Sequence, residues 1–128
     1  LPLETIAGRR MIGDVLLDCA WANETMAGFE NHAGRTILDE GAEPLGRVVS
    51  GFGNDGASGA EGCRRLRIYG TYLHGPLLPR NPWFADHLLG EARAHAGGPT
   101  ELAPLADELE HEAHEVSAQR AKARGGKR

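Results

Sequence analysis

The stretch YGTYLHGPLLPRNPWFAD, residues 69–86, joins a strand pattern to a helix pattern through a single histidine. Residues 64–74 alternate apolar and polar side chains, which predicts one strand with a wetter face that ends at His74. The Gly-Pro pair that follows turns the chain away from the strand. Asn81 and Pro82 are residues preferred at the N-cap and the first position of a helix, so a helix is predicted to begin there. Strand and helix segments are mixed, and the predicted class is α/β.

Four further segments precede this stretch. Residues 9–21 contain the run Val-Leu-Leu and predict a mostly buried strand, and residues 45–50 predict a second, short strand. Residues 24–38 are rich in glycine and polar groups, which predicts a loop flanked by short strands. The composition of residues 51–62 predicts a loop without any packed element.

Two helices are predicted in the last third of the chain. The first places Phe84, Leu88 and Leu89 on one apolar face and ends at the Gly-Gly-Pro of residues 97–99. The second is predicted from about residue 105 to about residue 121, with charged side chains on its other faces. Its apolar stripe consists of Leu105, Leu109, Ala113 and Val116.

Length, charge and cysteine content exclude several classes of protein. A chain of 128 residues suffices for one domain, and its net charge of −4 argues against a general nucleic-acid-binding protein. No apolar run is long enough to span a membrane. Cys19 and Cys63 are too few for a disulfide framework, which favours a reduced, cytoplasmic setting. Because the chain starts with Leu-Pro-Leu and meets a strand pattern at once, we expect it to be the later part of a longer protein.

His74 is the strongest candidate for chemistry. An imidazole at the end of a strand can face a cleft, and its near-neutral pKa suits proton transfer, although a loop histidine that bonds a carbonyl explains the pattern equally well. Residues 28–36, GFENHAGRT, form either a functional loop or an internally bonded turn. Six histidines without a metal-binding spacing predict no metal site. Neither Cys19 nor Cys63 lies in the glycine-flanked elbow that exposes a nucleophile.

Four motifs carry a family resemblance in their order along the chain: R-x-I-G-D, GFENHAGRT, PLGRVVSGFGN and YGTYLHGPLLPRNPWFADHLL. Over residues 8–95 the chain resembles the C-terminal half of the GatD branch of the CobB/CobQ-like class I glutamine amidotransferases. GTYLHGP is shared with the cobyric-acid and cobyrinate amidotransferases, whereas GFENHxGRT is specific to the GatD branch. The resemblance implies a flavodoxin-like three-layer domain with a mixed central sheet. Residues 1–96 would then be the C-terminal half of that domain, 97–122 a C-terminal helix and 123–128 a disordered basic tail.

The same resemblance implies roles for two side chains. His74 matches the general base that activates the family's nucleophilic cysteine, and Arg10 matches the arginine that binds the glutamine substrate, with Arg9 as the alternative if the register differs by one. The cysteine of the family lies upstream, in a G-x-C-G-G elbow that this sequence does not contain, so the chain alone is expected to be inactive. Many class I enzymes carry an acid two residues after the histidine. Pro76 stands there in this chain, and in the GatD branch the partner ligase is thought to supply the third group.

The implied activity is that of a glutaminase subunit in peptidoglycan biosynthesis. It would hydrolyse L-glutamine to glutamate and ammonia, and a MurT-like Mur ligase in the same cytoplasmic heterodimer would use the ammonia to amidate the D-glutamate of lipid II. No cofactor or metal is expected in this subunit, because ATP and Mg belong to the ligase, and neither nucleic acid nor membrane insertion is expected. Two alternatives stay open: a cobyrinate or cobyric acid-type amidotransferase, and a non-catalytic module that docks a ligase.

Overall fold

The computed structural model describes residues 1–124, which form a five-stranded sheet, a two-stranded sheet and two helices. The elements in chain order are β1 (Leu3–Cys19), β2 (Glu24–Leu38), β3 (Gly46–Ser50), β4 (Ala60–Glu61), β5 (Cys63–Arg65), β6 (Ile68–Gly70), β7 (Leu73–His74), α1 (Pro82–His95) and α2 (Glu108–Arg124). The predicted α/β class is confirmed. Neither of the two helices has the length and apolar character needed to cross a membrane.

The larger sheet is built on the hairpin of β1 and β2, its two longest strands. They pair antiparallel along almost their whole length, apart from a bulge between Ala7 and Met11. The strand order is β4-β3-β1-β2-β7, and β5 pairs with β6 separately. All strand pairs within residues 1–124 are antiparallel, so the parallel pairs of the expected mixed sheet do not occur within this range.

The two helices pack on opposite faces of the larger sheet, and α2 leaves much of its face exposed. Because side chains alternate along a strand, the apolar run of residues 15–17 supplies both faces. On one side, here named the open face, Leu16 and Ala27 are buried against Ala121 of α2. On the other side, here named the covered face, a larger cluster is buried with α1: Val15, Leu17, Met26, Leu73 and Phe84.

The loop predicted for residues 24–38 is wrong, because β2 occupies this whole segment. Its glycines reflect close packing between neighbouring strands and side chains. A Cβ atom at Gly34 would lie 2.7 Å from the Tyr72 hydroxyl oxygen and 2.9 Å from the Thr5 methyl carbon, so any other residue there would force these side chains to shift. A strand surrounded on both sides tolerates polar residues where their groups find partners, and composition alone does not show this.

The single strand predicted for residues 64–74 is also wrong. The chain turns back at Leu66, which has a φ of 55°, and thereby forms the hairpin of β5 and β6. Leucine rarely adopts this conformation, so nothing in the sequence marks the turn. His74 therefore ends a separate strand of two residues, as β7 begins only at Leu73.

The glycine-rich segment 51–62 contains more structure than predicted. Its last residues form β4, which pairs with β3. Asn54 is buried, and its side chain donates to the Gly62 carbonyl at 2.9 Å and accepts from the Gly62 N–H at 2.8 Å. This exchange closes the loop on itself, which explains how a segment with few apolar side chains packs against the sheet.

The last helix runs from Glu108 to Arg124, about three residues later than predicted at both ends. The predicted apolar stripe is not a buried face, since Leu105 precedes the helix and is 77% exposed and Leu109 is 75% exposed. The helix contacts the sheet through Ala121 instead, because small side chains let the two backbones approach closely. The predicted basic tail overlaps the helix at residues 123 and 124, and its remaining residues, 125–128, lie outside the described residues.

Candidate functional site

His74 lies on the open face, in a row of residues that crosses three strands. The register places Phe29 of β2 opposite both Asp14 of β1 and His74 of β7, and residues opposite each other share a face. The open-face residues Leu16 and Ala27 are two positions from Asp14 and Phe29, which fixes the side on which the row lies. The strand therefore delivers an exposed imidazole to the open face.

Arg10 reaches the same face from β1. Its Nη1 donates to Oδ1 of Asn31 at 2.8 Å, and Asn31 is two residues from Phe29 along β2, so both point to the same side. The rise along the strand and the spacing between strands put the Cα atoms of Asn31 and His74 about 8 Å apart. The Arg10 guanidinium and the His74 imidazole therefore border one patch of the open face, with Asn31 and Phe29 between them.

A cleft of about 550 Å³ opens beside Arg10. Arg9, Arg10 and Arg35 all line it, together with the partly exposed apolar side chains of Ile12 and Phe52. The carboxyl group of Asp55 also lines the opening and offsets one of the three guanidinium charges. The remaining positive charge attracts carboxylates. Both arginines that the sequence analysis singled out as candidate substrate ligands thus face the same cleft.

A second cleft, of about 190 Å³, lies at His74 and is lined by α2 as well as by the sheet. Asp14 reaches it from β1, Arg80 from the segment before α1, and Ser117 and Arg120 from α2. The sequence analysis missed these four residues. It could not place them, because no pattern in the sequence shows that α2 packs on the face that carries His74.

Asn81 fixes the turn that follows His74. It stands at the predicted N-cap position, although its side chain makes no capping hydrogen bond to the helix. Its Oδ1 accepts from the Ala27 N–H at 2.8 Å, and its Nδ2 donates to the carbonyls of Ala27 at 2.9 Å and Leu77 at 2.7 Å. The amide thus takes the place of a further β7 residue beside β2, and satisfies backbone groups that would otherwise be buried without partners.

The GFENHAGRT motif, residues 28–36, is divided between the two faces of β2. Asn31 lies on the open face, whereas Glu30 is fully buried on the covered face. The Glu30 carboxylate accepts from the backbone N–H groups of Phe52 at 2.7 Å and Gly53 at 3.0 Å. It therefore anchors the start of the glycine-rich segment to the centre of the sheet.

His32, in the same motif, is buried on the covered face. Its Nδ1 donates to the Gly34 carbonyl at 2.8 Å, and its ring stacks in parallel on Tyr72 with the centroids 3.7 Å apart. Its Nε2 lies 3.5 Å from a carboxylate oxygen of Glu30. Internal hydrogen bonds thus hold Glu30 and His32, whereas Asn31 contacts Arg10 on the open face.

Glu61 of β4 is a second buried carboxylate, and the sequence analysis missed it. It accepts from the Tyr72 N–H at 2.8 Å and from the Thr71 hydroxyl at 2.9 and 3.1 Å. Burial raises the pKa of Glu61 to about 7, although these hydrogen bonds act in the opposite direction, and the negative charge of Glu30 raises it further. A single acid among glycines and alanines gives no periodic signal from which burial could be predicted.

Both cysteines are buried, and neither has the properties of a nucleophile. Burial raises the pKa of the Cys19 thiol to about 12 and also raises that of Cys63, so both stay protonated at neutral pH. No thiol within residues 1–124 lines the cleft at His74. The same range contains no group of three or more side chains suited to hold a metal ion.

A strand-end histidine and an arginine on one face of an α/β domain are the arrangement that the resemblance to class I glutamine amidotransferases implies. The chain belongs to the CobB/CobQ-like glutamine amidotransferase domain family, whose sequence profile matches residues 1–82.

Three relatives show where the chain stands in this family. It is 40% identical over 112 residues to the lipid II isoglutaminyl synthase (glutamine-hydrolyzing) subunit GatD of Staphylococcus aureus strain N315, covering 88% of this chain and 45% of that protein. It is 43% identical over 83 residues to the GatD subunit of Streptococcus pneumoniae R6, covering 65% of this chain and 32% of that protein. A cobyric acid synthase of Synechococcus sp. CC9605 is 39% identical over 119 residues, covering 89% of this chain and 21% of that protein. The chain thus spans less than half the length of each relative.

Proposed function

We propose that this chain forms the histidine- and arginine-bearing half of a GatD-type glutamine amidotransferase subunit, which hydrolyses L-glutamine to glutamate and ammonia. The observation that carries the proposal is the placement of Arg10 and His74 on one patch of the open face. Membership of the amidotransferase family and the similarity to two GatD subunits support it.

Arg10 is the proposed ligand of the glutamine α-carboxylate. A guanidinium donates two parallel hydrogen bonds to a carboxylate, and such bidentate pairs fix both the position and the orientation of the bound group. Asn31 holds one nitrogen of Arg10 at 2.8 Å, which limits the side-chain rotamers and prepares the guanidinium for binding. Arg9 lines the same cleft and is the alternative ligand.

His74 is the proposed general base for a cysteine supplied by a segment outside these 128 residues. The imidazole takes the thiol proton while sulfur bonds to the carboxamide carbon, and it returns that proton to the nitrogen as the C–N bond breaks and ammonia leaves. Water then bonds to the thioester carbon and loses a proton to His74. The C–S bond breaks, glutamate is released, and His74 reprotonates the thiolate.

The third group and the acceptor of ammonia are proposed to belong to a partner. Pro76 stands where many class I enzymes carry the acid that orients the histidine, and a MurT-like Mur ligase is the proposed source of that group. The ligase would use ATP and Mg to amidate the D-glutamate of lipid II, in a cytoplasmic heterodimer. The names of the two GatD relatives, subunits of a glutamine-hydrolysing lipid II isoglutaminyl synthase, support this assignment.

A cobyric acid-type amidotransferase is the second candidate, because the Synechococcus cobyric acid synthase matches as much of this chain as the staphylococcal GatD does. The two candidates differ in the acceptor. A full amidotransferase domain that supports amidation of lipid II with a Mur-type ligase, and not of a corrin carboxylate, favours the first candidate. The reverse result favours the second.

The test of the base is His74→Ala in the full amidotransferase domain, including the segment that supplies the nucleophile. We expect glutamine-dependent ammonia release to fall by at least about a hundredfold, since loss of general base catalysis has effects of that order. His111→Ala is the matched control, because His111 is exposed on α2 and lines a different cleft. Wild-type glutaminase activity of the His74 variant would exclude His74 as the base, whereas a full domain that releases no ammonia from glutamine even with His74 present would favour a non-catalytic docking module.

A further inference from the structure

β7 alone gives His74 little support. It pairs with β2 at two positions, Phe29↔His74 and Glu30↔Leu73, and it is the last strand in the order of the sheet. A side chain that transfers protons must be held to within about 0.5 Å of its productive position. Contacts other than the strand pairing must therefore fix the backbone that carries the imidazole.

Glu61 makes these contacts. One of its carboxylate oxygens accepts from the Tyr72 N–H at 2.8 Å, and the Thr71 hydroxyl donates to the same carboxylate at 2.9 and 3.1 Å. The Thr71 oxygen in turn accepts from the Leu73 N–H at 3.0 Å. The three consecutive residues before His74 are thus connected to a single buried carboxylate, directly or through one hydroxyl.

The connection also joins the two ends of the sheet. Glu61 lies on β4 and His74 on β7, the two outermost strands in the order β4-β3-β1-β2-β7. Glu61 is paired with Gly46 of β3, so its backbone is fixed independently of β7. The carboxylate can therefore hold the segment before His74 against a part of the fold that does not move with it.

The burial of Glu61 is otherwise unfavourable for the fold. A carboxylate with no exposed surface is destabilising unless hydrogen bonds compensate for its lost hydration, and this one ionises less readily than an acid in water. Glu43, by contrast, is an exposed acid that pairs with Arg64 at the surface. Buried ionisable groups with shifted pKa values are concentrated at functional sites.

We propose that Glu61 is a positioning residue for His74, acting through the Thr71 hydroxyl and the backbone of Tyr72 and Leu73. The inference rests on the proposed function, because it assigns Glu61 a role only through the base of that reaction. Glu61 itself contacts neither substrate nor nucleophile.

The test uses Thr71→Val and Thr71→Ser in the full amidotransferase domain. Valine keeps the shape of threonine but removes the hydroxyl between Glu61 and the Leu73 N–H, whereas serine keeps it. We expect Thr71→Val to lower kcat for glutamine hydrolysis about fivefold to tenfold with KM within about twofold, since a small displacement of a catalytic group reduces the rate and Arg10 lies on another strand. Thr71→Ser should keep at least half of wild-type kcat.

Glu61→Ala and Glu61→Gln extend the test. Glutamine keeps an oxygen that accepts from Tyr72 and Thr71, so it should retain most of kcat, whereas alanine should lose about tenfold or more per folded molecule. The folded fraction is measured by circular dichroism at the assay temperature. A purely structural role would change the folded fraction and leave kcat per folded molecule unchanged, and that result would overturn the proposal.

A further readout separates this proposal from the proposed function. If His74→Ala abolishes hydrolysis while Thr71→Val and Glu61→Ala keep wild-type kcat per folded molecule, Glu61 is not a positioning residue although His74 is the base. If His74→Ala is fully active, the proposed function fails. The NMR signals of the His74 ring in the present chain should shift on Thr71→Val and not on Thr71→Ser, and unchanged signals in both would contradict the positioning role.

Discussion

The two faces of the sheet are built from the same strands but differ in how they are closed. On the covered face, Phe84 of α1 is buried, and its ring contacts Tyr69 at 5.6 Å between centroids within a larger aromatic cluster. On the open face, α2 meets the sheet through alanine, and the neighbouring His74 and Arg10 remain exposed. Apolar burial is thus concentrated on one face and accessible polar groups on the other. Apart from Glu61 and Thr71, which are proposed to act on His74 through its backbone, substitutions on the covered face should therefore change stability, and those on the open face should change activity.

The strongest way to test this division is Phe84→Ala. Phe84 is 3% exposed, and its removal leaves a cavity in the main core, so we expect a loss of about 3–5 kcal/mol in the free energy of unfolding. Urea denaturation followed by circular dichroism measures the change. Phe52→Ala is the matched control, because Phe52 is 47% exposed and should cost less than about 1 kcal/mol. Equal losses in the two variants would show that the covered face does not dominate stability.

The sequence predicted the parts of this division that depend on local pattern. The strand of residues 9–21, the start of α1 and the end of a strand at His74 follow from apolar runs, proline placement and the Gly-Pro turn. The long β2 strand did not follow, because residues 28–36 combine glycine with polar groups whose partners come from distant segments, as Glu30 does with Gly53. The same reason hid Glu61, since its three hydrogen bonds reach across the sheet.

Glu61→Gln tests whether ionisation of the buried Glu61 carboxyl group, on the covered face, makes the free energy of unfolding depend on pH. The folded state raises the pKa of Glu61 from 4.5 to about 7 by burial, so below pH 4.5 the group is protonated in both states and has no effect. As the pH rises, the unfolded chain ionises first and the free energy of unfolding falls. Above pH 7 the loss is complete and amounts to roughly 3 kcal/mol, at about 1.4 kcal/mol per pH unit.

Glutamine cannot ionise, so the variant should lack this part of the pH dependence. We expect the wild-type chain to lose stability relative to Glu61→Gln between pH 4.5 and pH 7, and the difference to be constant above that range. Urea denaturation of both proteins at about pH 5, 6, 7 and 8 measures this difference in the free energy of unfolding. Parallel curves for the two proteins would mean that Glu61 titrates near its usual pKa.

Arg10→Ala tests the open face, where the expected effect is on binding and not on folding. Arg10 is exposed, and its hydrogen bond to Asn31 joins two surface side chains, so its removal should change the free energy of unfolding by less than about 0.5 kcal/mol. Loss of a charged ligand of the glutamine carboxylate should raise KM of the full amidotransferase domain about tenfold to a hundredfold, equivalent to about 1.4–2.7 kcal/mol, with a smaller change in kcat.

Arg9→Ala is the matched comparison for this effect, since Arg9 lines the same cleft and carries the same charge. A general electrostatic attraction would make the two arginines equivalent, and both variants would then show similar increases in KM that diminish with added salt. A bidentate contact requires one guanidinium in a fixed position, and the bond to Asn31 gives that position to Arg10. Arg10→Lys should then fail to restore KM, because lysine keeps the charge but not the planar pair of donors. A larger effect of Arg9→Ala than of Arg10→Ala would identify Arg9 as the ligand of the glutamine carboxylate. The substrate contact would then not lie on the patch that Arg10 shares with His74.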